Sequence, residues 1–234
     1  MNTLCVIPAR SGSKGIPNKN IKDFDGKPLL AHSIEYAKNC KEITNTVVST
    51  DSIKTSKIAE KFGASVPFIR PKKFSADSSQ DIDFINHALV QCEKIYEKEF
   101  SLVILLRPTS PVRKKNLIKK GLDMMIADPD ASSLKAVTEA IEHPYRHWIP
   151  ENKYIVGYEK RFYEPYNLPR QQLPKTFYSA GDLEIIRRNT IIEGSVSGEK
   201  IIPLILDKEE TVDIDTPSDW IKAEKVLKLK RLKK

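Results

Sequence analysis

The stretch Leu4-Cys5-Val6-Ile7-Pro8-Ala9-Arg10-Ser11-Gly12-Ser13-Lys14-Gly15-Ile16-Pro17-Asn18-Lys19-Asn20 joins a short apolar run to a basic loop. Residues 4–7 read as a buried strand. The loop that follows holds two glycines, two serines, two prolines and the cations Arg10, Lys14 and Lys19. Gly12 and Gly15 allow the backbone to approach a ligand closely and to turn N–H groups toward it. Such a loop suits a polyphosphate. It is not a Walker A loop, since no Gly-Lys-Ser/Thr closes it, and it lacks the three-glycine dinucleotide fingerprint. A basic surface loop with ordinary turn glycines would share this composition, so the rest of the chain has to decide.

Outward from the loop, short apolar runs alternate with amphipathic segments. Strands are expected at residues 4–7, 46–49, 66–69, 102–106 and 134–137, and helices at about 28–39, 52–62, 80–97 and 114–127. Asp51-Ser52 reads as the start of the second helix and Gly63 as its C-terminal stop. Residues 102–106, Leu-Val-Ile-Leu-Leu, show no polar alternation and fit a central strand buried on both faces. Further strands are expected at 183–186 and 201–206, and a last helix from Asp219 onward, with Pro217 near its start. The alternation predicts an α/β fold with a doubly wound, mostly parallel sheet, in one domain over 1–234. Ligands in such sheets bind at the carboxyl ends of the strands, where Arg10, Asp51, Arg70 and Arg107 are expected.

Residues 141–180 break the pattern. Tyr145, Trp148, Tyr154, Tyr158, Phe162, Tyr163 and Tyr166 lie among prolines without helical period. Aromatic enrichment of this kind is common at interfaces. A long loop folded back on its own domain is the alternative. His143 and His147 are four apart, but Pro144 spoils the helix that would place them on one face, so no metal site is expected there.

Of the 234 residues, 40% are hydrophobic and 30% charged, which places the chain among ordinary globular proteins. No apolar run approaches the ~20 residues of a membrane span. The N-terminal apolar run leads directly into the loop, which predicts no signal peptide. Cys5, Cys40 and Cys92 are widely spaced and form no C-x-x-C pair, which predicts reduced thiols in a cytoplasmic protein. Lys225, Lys228, Lys230, Arg231, Lys233 and Lys234 form a basic tail at 225–234 without an acid and supply six of the eight net positive charges. That tail reads as the solvated end of a helix rather than a nucleic-acid footprint, and no specific nucleic-acid or membrane partner is expected.

Two carboxylates near the far end, Asp213 and Asp215, sit one residue apart. On an extended segment such residues point the same way, so both can reach one ion, and hard carboxylate oxygens suit Mg²⁺ or another divalent cation such as Mn²⁺.

With these residues in view, the chain resembles the CMP-sialic acid synthetase family of cytidylyltransferases that activate nonulosonic acids. The 7–20 loop is similar to its first motif. Ile69-Arg70-Pro71 with Ser75-Ala76-Asp77, Leu106-Arg107-Pro108-Thr109-Ser110-Pro111, Pro169-Arg170-Gln171-Gln172-Leu173-Pro174 and Val212-Asp213-Ile214-Asp215-Thr216 are similar to its second to fifth, in order. The resemblance implies a nucleotide-diphospho-sugar transferase-like fold and transfer of CMP from CTP to the anomeric hydroxyl of an acidic nine-carbon sugar, releasing pyrophosphate. It further implies that Arg10, Gly12, Ser13 and Lys14 hold the triphosphate, that Lys19 stabilises the reacting phosphate, and that Asn20, Arg70 and Ser79 border the cytidine. Arg10, Lys19 and Asp215 are thereby the expected catalytic residues, and Asp213 and Asp215 the metal ligands. Arg146 and Arg170 are implied to approach the sugar from a partner subunit of a homodimer formed through 141–180.

Two departures fall where the sugar is expected. Arg107 stands where members acting on N-acetylneuraminic acid often have Gln, and Glu184, in Ala180-Gly181-Asp182-Leu183-Glu184, where they often have Tyr. Either the two residues pair, or one reads an amino or acetamido substituent. The expected sugar is then a legionaminic-type or other modified nonulosonic acid. Rival readings are a 3-deoxy-manno-octulosonate cytidylyltransferase, a nicotinamide oxidoreductase, disfavoured by the missing fingerprint, and a non-catalytic nucleic-acid module resting on the tail alone.

Overall fold

The computed structural model describes residues 1–232; Lys233 and Lys234, the last two cations of the basic tail, lie outside them. In chain order the strands are β1 (Thr3–Pro8), β2 (Asp23–Phe24), β3 (Lys27–Pro28), β4 (Asn45–Ser49), β5 (Leu102–Leu105), β6 (Ser133–Glu139), β7 (Trp148–Glu151), β8 (Tyr154–Gly157), β9 (Phe177–Arg187) and β10 (Ile201–Ile205). The α-helices are α1 (Leu29–Lys38), α2 (Ile53–Lys61), α3 (Asp81–Tyr96), α4 (Leu117–Ala127), α5 (Arg188–Ile192) and α6 (Pro217–Leu232).

Six strands form the central sheet in the order β10-β6-β9-β5-β1-β4. β1 pairs parallel with β4 and β5, and β10 pairs parallel with β6. Only β9 runs against its neighbours, antiparallel to both β5 and β6. Alternate side chains of the inner strands enter different cores. Cys5, Ile7, Leu102 and Ile104 pack with α1, α2 and α4 on one face. Leu4, Val6, Val103 and Leu105 pack with α3 and α5 on the other. Burial on both faces is why these strands read as continuous apolar runs.

The helix boundaries follow local chemistry. Ser52 caps α2 by accepting from the Thr55 N–H at 3.2 Å, and α3 opens on a reciprocal box between Gln80 and Asp83. The strand expected at 66–69 does not form. Ser65 alone bridges Val47, and Pro67, which has no N–H to donate, ends the pairing there. Within residues 141–180 the β7–β8 hairpin forms among short 3-10 turns, a feature the sequence pattern did not predict, and β9 of the central sheet begins at Phe177.

A third apolar cluster places the site. Ile16, Phe24 and Leu29 pack with Val212, Ile214, Trp220 and Ala223, which ties the end of the chain to the loop after β1. Among the described residues, no helix is long and apolar enough to cross a membrane.

Candidate active site

The loop after β1 is held from two sides. Ser11 donates through its backbone N–H and its hydroxyl to the two oxygens of Asp51, each at 2.7 Å. Partial burial pushes the Asp51 carboxyl up, but the Ser11 bonds outweigh it and hold the group below its usual range. Asp51 is therefore a buttress of the loop and not, as its place after a strand suggested, a group lining the cavity. On the other side the loop meets residues 211–215. A Cβ on Gly15 would collide with the Asp215 carbonyl oxygen, so only glycine permits this approach. Lys19 donates to the Ile214 carbonyl at 2.7 Å and to Asp215 Oδ1 at 3.0 Å.

Residues 212–215 alternate as an extended segment should. Val212 and Ile214 are buried, while Asp213 and Asp215 are exposed. The Ile214 N–H donates to the Thr109 carbonyl at 2.8 Å, which fixes the segment against the turn after β5.

Together these pieces wall a cavity of ≈ 500 Å³ at the carboxyl ends of β1 and β5. Arg10, Ser13, Lys14, Lys19, Asn20, Arg70, Ser79, Arg107 and Asp215 all line it. The structure thus brings together nine of the residues singled out in the sequence. Asn20 braces the loop by donating to the Arg10 carbonyl at 3.1 Å. Ser79 donates to the Lys73 carbonyl at 2.9 Å. Arg70 is buried, donates to the Ser49 side chain at 2.9 Å and stacks 4.5 Å over the Phe84 ring. Burial lowers its pKa to about 10.

Four expected residues stand elsewhere. Gly12 is an exposed turn glycine at φ +75°, outside the cavity lining. Asp213 Oδ2 lies 3.6 Å from where a Cβ on Gly181 would stand, on the β9 side. Arg146 donates to the Leu168 carbonyl at 3.1 Å within the excursion. Arg170 lines a different depression, with Glu139, His143 and Lys175. Glu184 does not line the cavity itself but touches it through Arg107, whose Nη2 donates to Glu184 Oε1 at 2.9 Å. Arg107 and Glu184 thus pair in the structure.

Five further residues shape the site without having been singled out for it. Asp77 spans the loop cations, 2.9 Å from Arg10 and 2.5 Å from Lys14. Hydrogen bonds from Lys14 and Arg10 hold its carboxyl below the usual range. Asp81, at the first turn of α3, takes a second bond from Arg107 Nη2. Lys135 on β6 lies 3.2 Å from Glu184 Oε2. Burial disfavours the Arg107 charge, but Glu184 and Asp81 overcome that and raise its pKa. Arg113 is buried and donates to the Asp182 carbonyl, the Ser33 hydroxyl and the Arg107 carbonyl, at 2.7, 2.9 and 2.6 Å. It staples the turn after β5 to β9. Asp182 is buried with Oδ2 unpartnered, and burial raises its carboxyl to about 7. Lys135 carried a signal in hindsight, as a lone lysine amid the apolar residues of its strand.

Among the described residues no three or more His, Cys, Asp or Glu converge as a closed metal cage. Mg²⁺ does not need one, since it is commonly held by one or two carboxylates with substrate phosphates and water. Asp213 and Asp215 are both exposed carboxylates of that kind, with Asp215 lining the cavity beside the basic loop and Asp213 set on the β9 side.

Comparison with known proteins identifies the family. Residues 4–148 match the cytidylyltransferase family model. The chain is 32% identical to a pseudaminic acid cytidylyltransferase of Campylobacter jejuni, over 94% of this chain and 93% of that one. It is 32% identical to a CMP-N,N'-diacetyllegionaminic acid synthase of Legionella pneumophila, over 98% and 97%. An N-acylneuraminate cytidylyltransferase of Streptococcus agalactiae is 31% identical over 94% of this chain and 52% of its own length. A structure of CMP:2-keto-3-deoxy-manno-octonic acid synthetase complexed with CTP superposes with a TM-score of 0.72 at 19% identity, covering 98% of this chain and 100% of that one, a likeness of fold.

Proposed function

Since the chain belongs to the cytidylyltransferase family, we propose that it transfers CMP from CTP to the anomeric hydroxyl of a nonulosonic acid of the sialic or legionaminic type, releasing pyrophosphate. The observation that carries this reading is the single cavity in which Arg10, Lys14, Lys19, Arg70, Arg107 and Asp215 meet. Its loop end has the cations a triphosphate needs, and its other end has fixed hydrogen-bonding groups for a polar acceptor.

In this reading Arg10, Ser13 and Lys14 take the triphosphate, whose oxygens replace the Asp77 carboxylate between the two cations. Gly12 gives the loop its turn. Asn20, Arg70 and Ser79 border the cytidine. The sugar's anomeric oxygen attacks the α-phosphorus in line with the departing pyrophosphate, and Lys19, held beside Asp215, stabilises charge on the reacting phosphate. A divalent cation, Mg²⁺ or Mn²⁺, held by Asp213 and Asp215, would neutralise the charge that develops on the phosphate oxygens. Arg107 and Glu184 face the acceptor end.

Arg146 and Arg170 serve the sugar's carboxylate across a homodimer. What supports this is the excursion's exposed apolar surface: Tyr154, Ile155, Tyr158, Phe162 and Tyr163 are all exposed, Tyr163 at 92%. Large apolar side chains exposed together in one excursion favour an interaction site. Mixing inactive Arg10→Ala protein with inactive Arg170→Ala protein restores part of the activity, because some mixed dimers hold one intact site. A fully active monomer would remove the dimer from the account.

The functional test is pyrophosphate release from CTP with each of several acidic sugars. Release that requires both a nonulosonic acid and a divalent cation is expected. Preference for 3-deoxy-manno-octulosonic acid would turn the assignment to that acceptor, and release with none of these sugars would refute the reading.

A further inference from the structure

Arg107, Glu184, Lys135 and Asp81 form one chain of charges at the acceptor end of the cavity. Lys135 and Glu184 are directly opposed in the register of β6 and β9, and Glu184 is also opposed to Leu105 of β5. Glu184 Oε1 accepts from Arg107 and Oε2 faces Lys135, so both oxygens are engaged within the protein. Arg107 in turn commits Nη2 to both Glu184 and Asp81. Its Nε and Nη1 hydrogens have no acceptor among the described residues, although the side chain lines the cavity and is largely buried.

We propose that Asp81 and Lys135 are positioning residues that hold Arg107 with its free N–H groups toward the acceptor, where they read a neutral acyl carbonyl. The inference rests on the acceptor reading above and narrows it to sugars carrying two acylamido groups. Two cations and two carboxylates make the chain neutral overall. A sugar carboxylate placed there would bring a third negative charge beside Glu184 and Asp81, which like-charge repulsion opposes. A carbonyl oxygen satisfies the donors without that cost. Glu184, with both oxygens taken, aims Arg107 rather than contacting the sugar itself. Lys135 prevents Glu184 from being left half-paired, and Asp81 pulls the guanidinium from the other side. A site built around donors discriminates strongly against a ligand that leaves them unpaired. N,N'-diacetyllegionaminic acid presents a second acyl carbonyl; N-acetylneuraminic acid presents one.

The test compares pyrophosphate release by wild type, Lys135→Met, Lys135→Arg and Asp81→Asn with these two sugars. Wild type is expected to favour the diacyl sugar. Lys135→Met and Asp81→Asn should raise its KM by about tenfold, the order of one well-placed hydrogen bond to a charged group, and bring the two sugars' kcat/KM values together. For Lys135→Met, whose lysine lies outside the cavity lining, the KM for CTP should stay within about twofold. Lys135→Arg should restore the preference, which a merely structural loss would not show. An unchanged ratio in both charge-removing variants would overturn the proposal, as would equal losses for both sugars together with CTP. A wild type that uses CTP but prefers N-acetylneuraminic acid would overturn this proposal alone. No release with any nonulosonic acid would overturn the functional reading, and this inference with it.

Discussion

At the loop end of the cavity, Arg10, Lys14 and Lys19 face carboxylates that water reaches freely, Asp77 at 47% and Asp215 at 72% side-chain exposure. At the strand end, Arg107 and Lys135 face Glu184 at 11%, with Asp81, at 42%, on the open side of Arg107. Exposed pairs contribute about 0–1 kcal/mol each, so the proposed triphosphate would displace Asp77 at little cost. Breaking a buried pair costs about 3–5 kcal/mol, because the remaining charge has no water to turn to. One end is therefore an exchangeable cradle and the other a fixed template. Changes at the first should act on rate and on CTP, and changes at the second on stability and on the choice of acceptor.

The largest effect is expected at Asp215. Asp215→Ala should lower the rate of pyrophosphate release by about a hundredfold or more, since the carboxylate bonds Lys19 and, in the proposed mechanism, holds the divalent ion. Normal turnover of this variant at limiting Mg²⁺ would place the metal elsewhere. Next comes Arg113→Met, which removes the donor to Ser33, Arg107 and Asp182. It should lower unfolding stability by about 3 kcal/mol in a denaturant titration, through acceptors left unpaired. Stability within error of wild type would mean that the staple does not hold the template.

Asp182 gives a pH-dependent test of the same end. Burial raises its carboxyl from 3.8 to about 7 in the folded chain. A raised acid stabilises the fold fully below its unfolded pKa, and that contribution is lost as pH rises through the folded value. Asp182→Asn should therefore raise Tm at pH 8 and leave it nearly unchanged at pH 4. A gain of equal size at both pH values would contradict the assignment. The smallest effect belongs to the cradle. Asp77→Asn should lower the KM for CTP by about threefold at low salt, and the gain should fade at high ionic strength. A raised KM would mean that Asp77 organises the cations instead of competing for them.

Much of the cradle was legible in the sequence because its determinants are local. Residues 4–20 carry strand, turn and cations in one stretch, and Asp213 and Asp215 show their exposure by simple alternation. The template was less legible because it depends on register. Lys135 meets Glu184 only because β9 runs antiparallel between β5 and β6, and Arg113 meets Asp182 across 69 residues. The expected pairing of Arg107 with Glu184 came from two departures at known motif positions, not from any spacing. Residues 66–69 misled because their apolar character outweighed Pro67 in the reading. The β7–β8 hairpin was hidden by Pro150 within β7 and by aromatic residues that face outward.

The most direct measurement is a crystal structure with CTP and a divalent cation bound. The triphosphate is expected between Arg10 and Lys14 in place of the Asp77 carboxylate, and the cation beside Asp213 and Asp215. Arg107 is expected still joined to Glu184 and Asp81. A triphosphate bound away from the loop after β1, or an Arg107 released from both carboxylates when CTP binds, would contradict the division into cradle and template.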